Sequence, residues 1–145
     1  MANVFILFPI IQTAFFALLL SLLSIPILFG IQVLFGAPIT SHLPHTLLSS
    51  AHLALLAIFP LVYIHGANSA KWREIISLRS PIDEVFGGAV GCVLGAWLGA
   101  VPIPLDWDRE WQRWPVTIVT GAYAGCVVGK MLGGWVLRGK RIELD

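Results

Sequence analysis

The stretch GAWLGAVPIPLDWDREWQRWP, residues 95–115, joins two glycine-rich hydrophobic segments through a short polar turn. Glycine occupies every fourth position on both sides of that turn. The positions are Gly87, Gly91, Gly95 and Gly99 before it and Gly121, Gly125, Gly129 and Gly133 after it. Glycine at this spacing clears one face of a helix, so two backbones can approach closely, which is a main source of helix association in lipid. The spacing predicts packed helix faces. It leaves open whether the two helices pack on each other or each on another protein.

The composition indicates that these helices lie in a membrane. The chain is 57% hydrophobic and 12% charged, whereas a soluble domain is charged at about a quarter of its positions. Four segments are long and apolar enough to cross a bilayer, at about residues 11–35, 45–64, 81–101 and 115–137. We therefore predict an all-α polytopic integral membrane protein, with residues 1–145 forming a single membrane domain. No basic cluster indicates a nucleic-acid partner, and membrane lipids are expected neighbours.

The distribution of basic residues predicts the orientation in the membrane. The first segment lacks the basic region and the cleavage site of a signal peptide, so we interpret it as a retained span. With four spans, both termini share one side with six basic residues: Lys71, Arg73, Arg79, Arg138, Lys140 and Arg141. The other side holds Arg109 and Arg113. Because basic loops stay in the cytosol, both termini should be cytosolic and the 102–115 turn should face the lumen or the exterior.

The segment before the third span carries its own helix signals. Residues 66–80 are polar, with Trp72 and Ile75 at helical spacing, which predicts a short amphipathic helix at the interface. Ser80 is then expected to be the N-cap of the third span, with Pro81 as its first helical residue.

The polar turn has two interpretations. Asp106 can cap a helix over residues 107–114, which would place Trp107, Trp111 and Trp114 on one face. The oppositely charged pairs Asp106–Arg109 and Glu110–Arg113 are three residues apart. In the structural interpretation these residues form an interfacial, partner-binding cap. In the chemical one Asp106, Asp108 and Glu110 form a metal or acid/base site. The turn has no histidine, cysteine, serine or threonine, so we favour the structural interpretation and expect no catalytic residue, metal or cofactor.

Lys130 is a basic residue well inside the fourth predicted span. The favoured interpretation is a lysine that extends its side chain toward the interface near the basic tail. The alternative is a contact with a lipid phosphate or with a carboxylate of a partner. A zinc site at His42, His45 and His52 is disfavoured, since no carboxylate or thiol lies near them in the sequence.

Two stretches resemble a known family. GAWLGAVPIPLDWDREWQRWPVTIVTGAY, residues 95–123, closely resembles the C-terminal signature of the PIG-F family of GPI-anchor biosynthesis proteins, and LFGAPITSHLPHTLL, residues 34–48, resembles a second block in its fungal form. Family members typically carry further N-terminal spans, so the resemblance implies a chain that is short at its N-terminus. It also implies a multi-pass protein of the endoplasmic reticulum. Its expected role is that of a non-catalytic subunit that binds and stabilises ethanolamine-phosphate transferases. Those enzymes move phosphoethanolamine from phosphatidylethanolamine onto mannoses of the GPI precursor, and their metal-dependent catalytic domains are lumenal.

Three functional hypotheses follow. In the first, the glycine faces form a tight hairpin, and its outer faces together with the 107–114 turn dock the membrane segments of a transferase. In the second, the chain is itself a lipid-handling enzyme, with Asp106, Asp108 and His42 or His45 converging on a metal. In the third, it is a lipid transporter or flippase, for which the spans offer few polar residues: Gln12, Gln32, His52 and Lys130.

Overall fold

The computed structural model describes residues 2–105 and 109–141, with the backbone alone for residues 2–6. Every regular secondary-structure element within these residues is a helix, and four stretches are long and apolar enough to cross a membrane: Leu7–Leu34, Leu43–His65, Glu84–Leu105 and Val116–Val136. The all-α, four-helix prediction is confirmed. The helices are α1 (Ala2–Leu34), α2 (Leu43–Leu53), α3 (Phe59–His65), α4 (Ser69–Ile76), α5 (Glu84–Ala100) and α6 (Val116–Met131).

Helices α5 and α6 pack against each other through their glycine faces, which resolves the alternative left open by the sequence. They run antiparallel, so Gly91 lies opposite Gly125, and Gly95 lies opposite Gly121. A Cβ added at any of these four positions would overlap a backbone carbonyl oxygen of the other helix. This contact, here called the glycine seam, therefore requires glycine on both helices.

The ends of the glycine seam use residues outside the glycine pattern. Gly99 lies against the backbone of Thr117, and Gly133 lies against the carbonyl of Asp83. The two sets of glycines are thus offset in the antiparallel register. Each helix has one terminal glycine that packs against the backbone of a non-glycine residue.

A second layer covers one side of the α5–α6 pair. The buried core joins Leu53 of α2 and Leu61 of α3 to Cys92 of α5 and to Ala122 and Cys126 of α6. Helix α1 packs outside this layer, against α2 and α3. Most of the large apolar side chains on α1 remain exposed, as expected of a helix that faces lipid.

A π-helical turn joins α2 to α3, and the three together form the second membrane-length stretch, Leu43–His65. Between α2 and α3, residues Ala54–Ile58 form a π-helix in which the Phe59 N–H donates to the Ala54 carbonyl. Pro60 follows and has no N–H to continue the regular pattern. α2 contacts α6, the π-turn contacts both helices of the pair, and α3 contacts α5. The π-helical turn is therefore the point at which the Leu43–His65 stretch passes from α6 to α5.

Helix α5 begins later than the sequence predicted, and the assignment of Ser80 as its N-cap was wrong. The carboxylate of Asp83 caps the helix by accepting the Phe86 N–H at 2.7 Å, and Glu84 is the first helical residue. The preceding segment is held extended because Ile82 exchanges two backbone hydrogen bonds with the tail: its N–H donates to Lys140 at 2.8 Å and its carbonyl accepts from Gly139 at 2.7 Å. The short helix expected within residues 66–80 is α4, which is capped by Asn68.

These contacts define the two ends of the bundle. The end at which Ile82 pairs with Gly139 and Lys140 is here called the tail end. The opposite end holds the turns at residues 35–42 and 101–115 and is called the turn end.

Candidate functional site

The turn between α5 and α6 is not the continuous helix that the tryptophan spacing predicted. Two short 3-10 turns, Ile103–Leu105 and Glu110–Gln112, lie in it, and Arg109 and Arg113 both have extended backbone. Asp106, Trp107 and Asp108 lie outside the described residues, as does the predicted Asp106–Arg109 pair.

A buried glutamine closes this turn. Gln112 is 8% exposed. Its Nε2 donates to the Pro102 carbonyl at 2.8 Å, and its Oε1 accepts the Arg109 N–H at 3.1 Å. The side chain thus connects the end of α5 to the segment before α6. It bonds a backbone carbonyl and a backbone N–H that a continuous helix would have paired within its own backbone. No sequence pattern predicts this role for Gln112, because a single glutamine between tryptophan and arginine has no characteristic spacing.

The predicted pair Glu110–Arg113 is present, with 2.7 Å between Oε1 and Nη2. Both side chains are largely exposed, at 79% and 73%. An ion pair so open to its surroundings adds little to stability. Trp111 lies beside it and is 46% exposed. This part of the turn therefore presents an aromatic ring and two charges on the outer surface of the molecule.

Trp114, by contrast, connects the turn before α6 to the start of α2. Its Nε1–H donates to Thr46 Oγ1 at 3.0 Å. Thr46 is fully buried, and its hydroxyl lies 3.0 Å from the Pro38 carbonyl and 3.2 Å from that of His42. This bond brings together residues 34–48 and 95–123, the two stretches singled out in the sequence.

Polar contacts continue along the boundary between α2 and α6. His52 Nδ1 lies 2.9 Å from the Tyr123 hydroxyl. His42 and His45 lie at the turn end with their rings 5.5 Å apart in an edge-to-face arrangement. His52 lies seven residues beyond His45 on α2, which is about 10 Å along the helix at 1.5 Å per residue. The predicted convergence of His42 or His45 with Asp106 and Asp108 involves two aspartates that lie outside the described residues.

The glycine seam also shapes the outer surface of the hairpin. On the side away from the core, a groove of about 660 Å³ runs along the seam from Ile82 and Leu137 at the tail end to Leu98 and Gly99 at the turn end. Its floor is glycine backbone and its walls are apolar, including Val90, Leu94, Val128 and Leu132. The face predicted from glycine spacing thus serves twice, as the contact between two helices and as the floor of a groove.

Comparison with known proteins gives a consistent result. The model of the GPI biosynthesis protein family Pig-F matches residues 8–134. Glycosylphosphatidylinositol anchor biosynthesis protein 11 of Neurospora crassa is 57% identical over 131 residues, which cover 90% of this chain and 48% of that protein. The protein of the same name in Pyricularia oryzae is 56% identical over 104 residues, covering 72% of this chain and 39% of that protein.

A mouse relative has a more specific name. The mouse "GPI ethanolamine phosphate transferase, stabilizing subunit" is 35% identical over 101 residues, which cover 66% of this chain and 46% of that protein. The chain thus spans about half, or less, of the length of these relatives. No solved structure matches it.

Proposed function

Because the chain belongs to the PIG-F family of GPI biosynthesis proteins, we propose that it is a non-catalytic accessory subunit that binds and stabilises ethanolamine-phosphate transferases in the endoplasmic-reticulum membrane. In this role it supports the transfer of phosphoethanolamine to GPI mannose. The observation that carries the proposal is family membership together with the name of the mouse relative, a stabilising subunit of such a transferase.

The outer face of the α5–α6 hairpin is the surface proposed to bind the transferase. The groove there is apolar along the hairpin and has a floor without side chains. A transmembrane helix laid on such a floor can approach closely, which is how helices gain contact energy in lipid. At the turn end, Trp111 and the Glu110–Arg113 pair extend the surface beyond the groove. We therefore propose a transmembrane helix of the transferase in the groove, with its lumenal flank on the turn.

The orientation belongs to the same proposal. We place the tail end, with both termini, on the cytosolic side, and the turn end on the lumenal side. The distribution of basic residues supports this, since Arg79, Arg138 and Lys140 gather at the tail end through the backbone pairing of Ile82. A glycosylation acceptor site inserted after Leu105 should be modified in cells, and one added at the tail should not. The reverse pattern would overturn the orientation.

Replacing seam glycines with leucine would not test docking, because those side chains would separate α5 from α6 before any partner was involved. Two neighbouring valines offer a better comparison. Val128 lines the groove and is 53% exposed. Val127 is 56% exposed, and it does not line the groove. The variants Val128→Trp and Val127→Trp add the same bulk to the same helix, but only the first fills the groove.

The assay is affinity purification of the tagged chain in mild detergent, with quantification of co-purifying transferase. We expect Val128→Trp to lower the yield of complex severalfold and Val127→Trp to leave it unchanged at equal expression of the chain. Equal yields from the two variants would refute docking in the groove. If no transferase co-purifies with the unsubstituted chain, the accessory role itself fails. If the purified chain alone transfers phosphoethanolamine, the non-catalytic assignment is wrong.

A further inference from the structure

Two charged side chains near the tail end lie on glycines of the facing helix. The stem of Lys130 on α6 crosses Gly88 of α5. A Cβ at Gly88 would lie 2.8 Å from Lys130 Cγ and 3.3 Å from its Cε. In return, the Cβ and Cγ of Glu84 on α5 pack at 3.8 and 3.9 Å from the position of a Cβ on Gly134 of α6. A cation and a carboxylate are thus held side by side across the α5–α6 pair, one helical turn apart.

These two groups do not satisfy each other. Both residues are exposed. Among the described residues, the ion pairs within 4.0 Å are Lys71–Glu74 and Glu110–Arg113, neither of which includes Glu84 or Lys130. A charge carried on a membrane helix is costly unless it has a partner, and such residues commonly mark a binding site. The pair is therefore open to an external partner that carries both signs of charge.

The depths of the two groups specify the order of those charges. Glu84 is the first residue of α5, and Lys130 lies against Gly88, four residues farther from the tail end. At 1.5 Å per residue this places Lys130 about 6 Å deeper than Glu84. In a phospholipid the phosphate is attached to the glycerol, and a headgroup amine lies farther out. The deeper cation therefore matches a phosphate, and the outer carboxylate matches an ammonium group.

We propose that Glu84 and Lys130 form a binding site for the headgroup of a zwitterionic phospholipid. Lys130 binds the phosphate and Glu84 binds the headgroup ammonium. The nearby charges are compatible with this assignment. Asp83 is engaged in capping the Phe86 N–H. The basic tail is fixed at this end by the pairing of Ile82 with Lys140, so it lies at the outer edge of the site, on the far side of Glu84 from Lys130. The site lies at the opposite end of the hairpin from Trp111 and does not depend on the accessory role.

A primary ammonium suits this site better than a quaternary one. The ethanolamine group has three N–H donors for the Glu84 carboxylate, whereas the choline group has none, and charge-assisted hydrogen bonds are the stronger ones. Phosphatidylethanolamine should therefore bind more tightly than phosphatidylcholine. Phosphatidylglycerol, which offers a phosphate without an amine, would gain from Lys130 alone.

The test measures lipid retention by the purified full chain in detergent, using native mass spectrometry with dioleoyl phosphatidylethanolamine, phosphatidylcholine and phosphatidylglycerol as probes. Phosphatidylethanolamine should be retained best. Lys130→Gln should weaken retention of all three lipids, by roughly tenfold for the loss of one charge-assisted hydrogen bond. Glu84→Gln should abolish the preference for phosphatidylethanolamine over phosphatidylglycerol. Lys71→Gln removes an equal charge from α4. It should change neither the retention of the lipids nor the preference for phosphatidylethanolamine.

A second pair of variants keeps both charges. Gly88→Ala places a methyl group 2.8 Å from Lys130 Cγ and must displace the lysine stem, whereas Gly134→Ala makes only ordinary contacts with Glu84. Gly88→Ala should therefore weaken lipid retention, and Gly134→Ala should preserve it, with the thermal midpoint of each variant measured as a check on folding. Equal retention by these two folded variants would overturn the proposal. So would a preference of the unsubstituted chain for phosphatidylglycerol, or equal effects of Lys130→Gln and Lys71→Gln.

Discussion

One added methyl group tests the glycine seam on which the hairpin depends. In Gly125→Ala the new Cβ would overlap the Gly91 carbonyl oxygen and would lie 2.8 Å from Gly95 Cα. Cβ atoms essentially never approach other heavy atoms closer than 3.0 Å. Both contacts are with backbone, which has no alternative rotamer, so the two helices must move apart.

Two opposing effects determine how much Gly125→Ala changes the stability of the protein. Adding a methylene group to a well-packed interior costs about 1–3 kcal/mol. Alanine is the better helix former and recovers up to about 1 kcal/mol of that cost. Gly30→Ala in α1 is the matched control, because its Cβ would meet no atom of the described residues within 4 Å and it gains the same propensity. The difference between the two variants therefore isolates the clash. It should lower the Tm of Gly125→Ala by roughly 2–12 °C relative to Gly30→Ala, at about 2–4 °C per kcal/mol.

The chain carries its own reporter for this measurement. Cys92 and Cys126 are its two cysteines. Both are free thiols in the α5–α6 core, at 0% and 3% exposed. A thiol-reactive dye added during a thermal ramp in detergent therefore reports the opening of this helix pair. If Gly125→Ala and Gly30→Ala label with the same midpoint, the close approach of α5 and α6 is refuted.

Three further substitutions test local contacts with the same assay. Trp114→Phe removes the indole donor to Thr46 and should cost about 1 kcal/mol; an effect that persists undiminished in a Thr46→Val background would show that the hydrogen bond contributes nothing. Asp83→Ala removes the cap on the Phe86 N–H and should cost about 1 kcal/mol, whereas Asp83→Asn keeps an acceptor and should cost less; equal losses would argue against capping. Glu110→Gln breaks an ion pair whose side chains are mostly exposed and should change stability by less than about 0.5 kcal/mol; a larger loss would place this pair in a more buried setting.

The glycine pattern predicted the packed faces but could not identify what packs on them. A bare helix face accepts any other bare face, and the spacing is the same whether the partner lies in this chain or in another. What decides is the antiparallel register, in which Gly91 meets Gly125 and Gly95 meets Gly121. That register depends on how residues 101–115 reverse the chain, and the periodicity within either helix carries no information about this reversal.

Two helix predictions made from local sequence patterns were wrong because residues outside the pattern supplied competing hydrogen bonds. Ser80 followed by Pro81 is a sound pattern for a helix start, yet Ile82 pairs with Gly139 and Lys140, more than fifty residues away in the sequence. The N-cap therefore moves to Asp83, and the helix begins at Glu84. In the same way, the helical spacing of Trp111 and Trp114 was overridden by the Gln112 side chain, which bonds the Pro102 carbonyl. A sequence window of one helix length contains neither of these competing partners.

The position of Thr46 determines how variants at the turn end should be interpreted. Thr46 is fully buried, so it has no surface with which to touch a transferase. It nevertheless holds Trp114, which lies three residues from the exposed Trp111. A substitution at Thr46 that lowers the yield of complex would therefore act by displacing the turn. The groove and the turn belong to one hairpin, so a rotation of that hairpin moves both surfaces together. Effects of substitutions at Thr46 and in the groove should consequently be non-additive, whereas two independent docking patches would give additive losses.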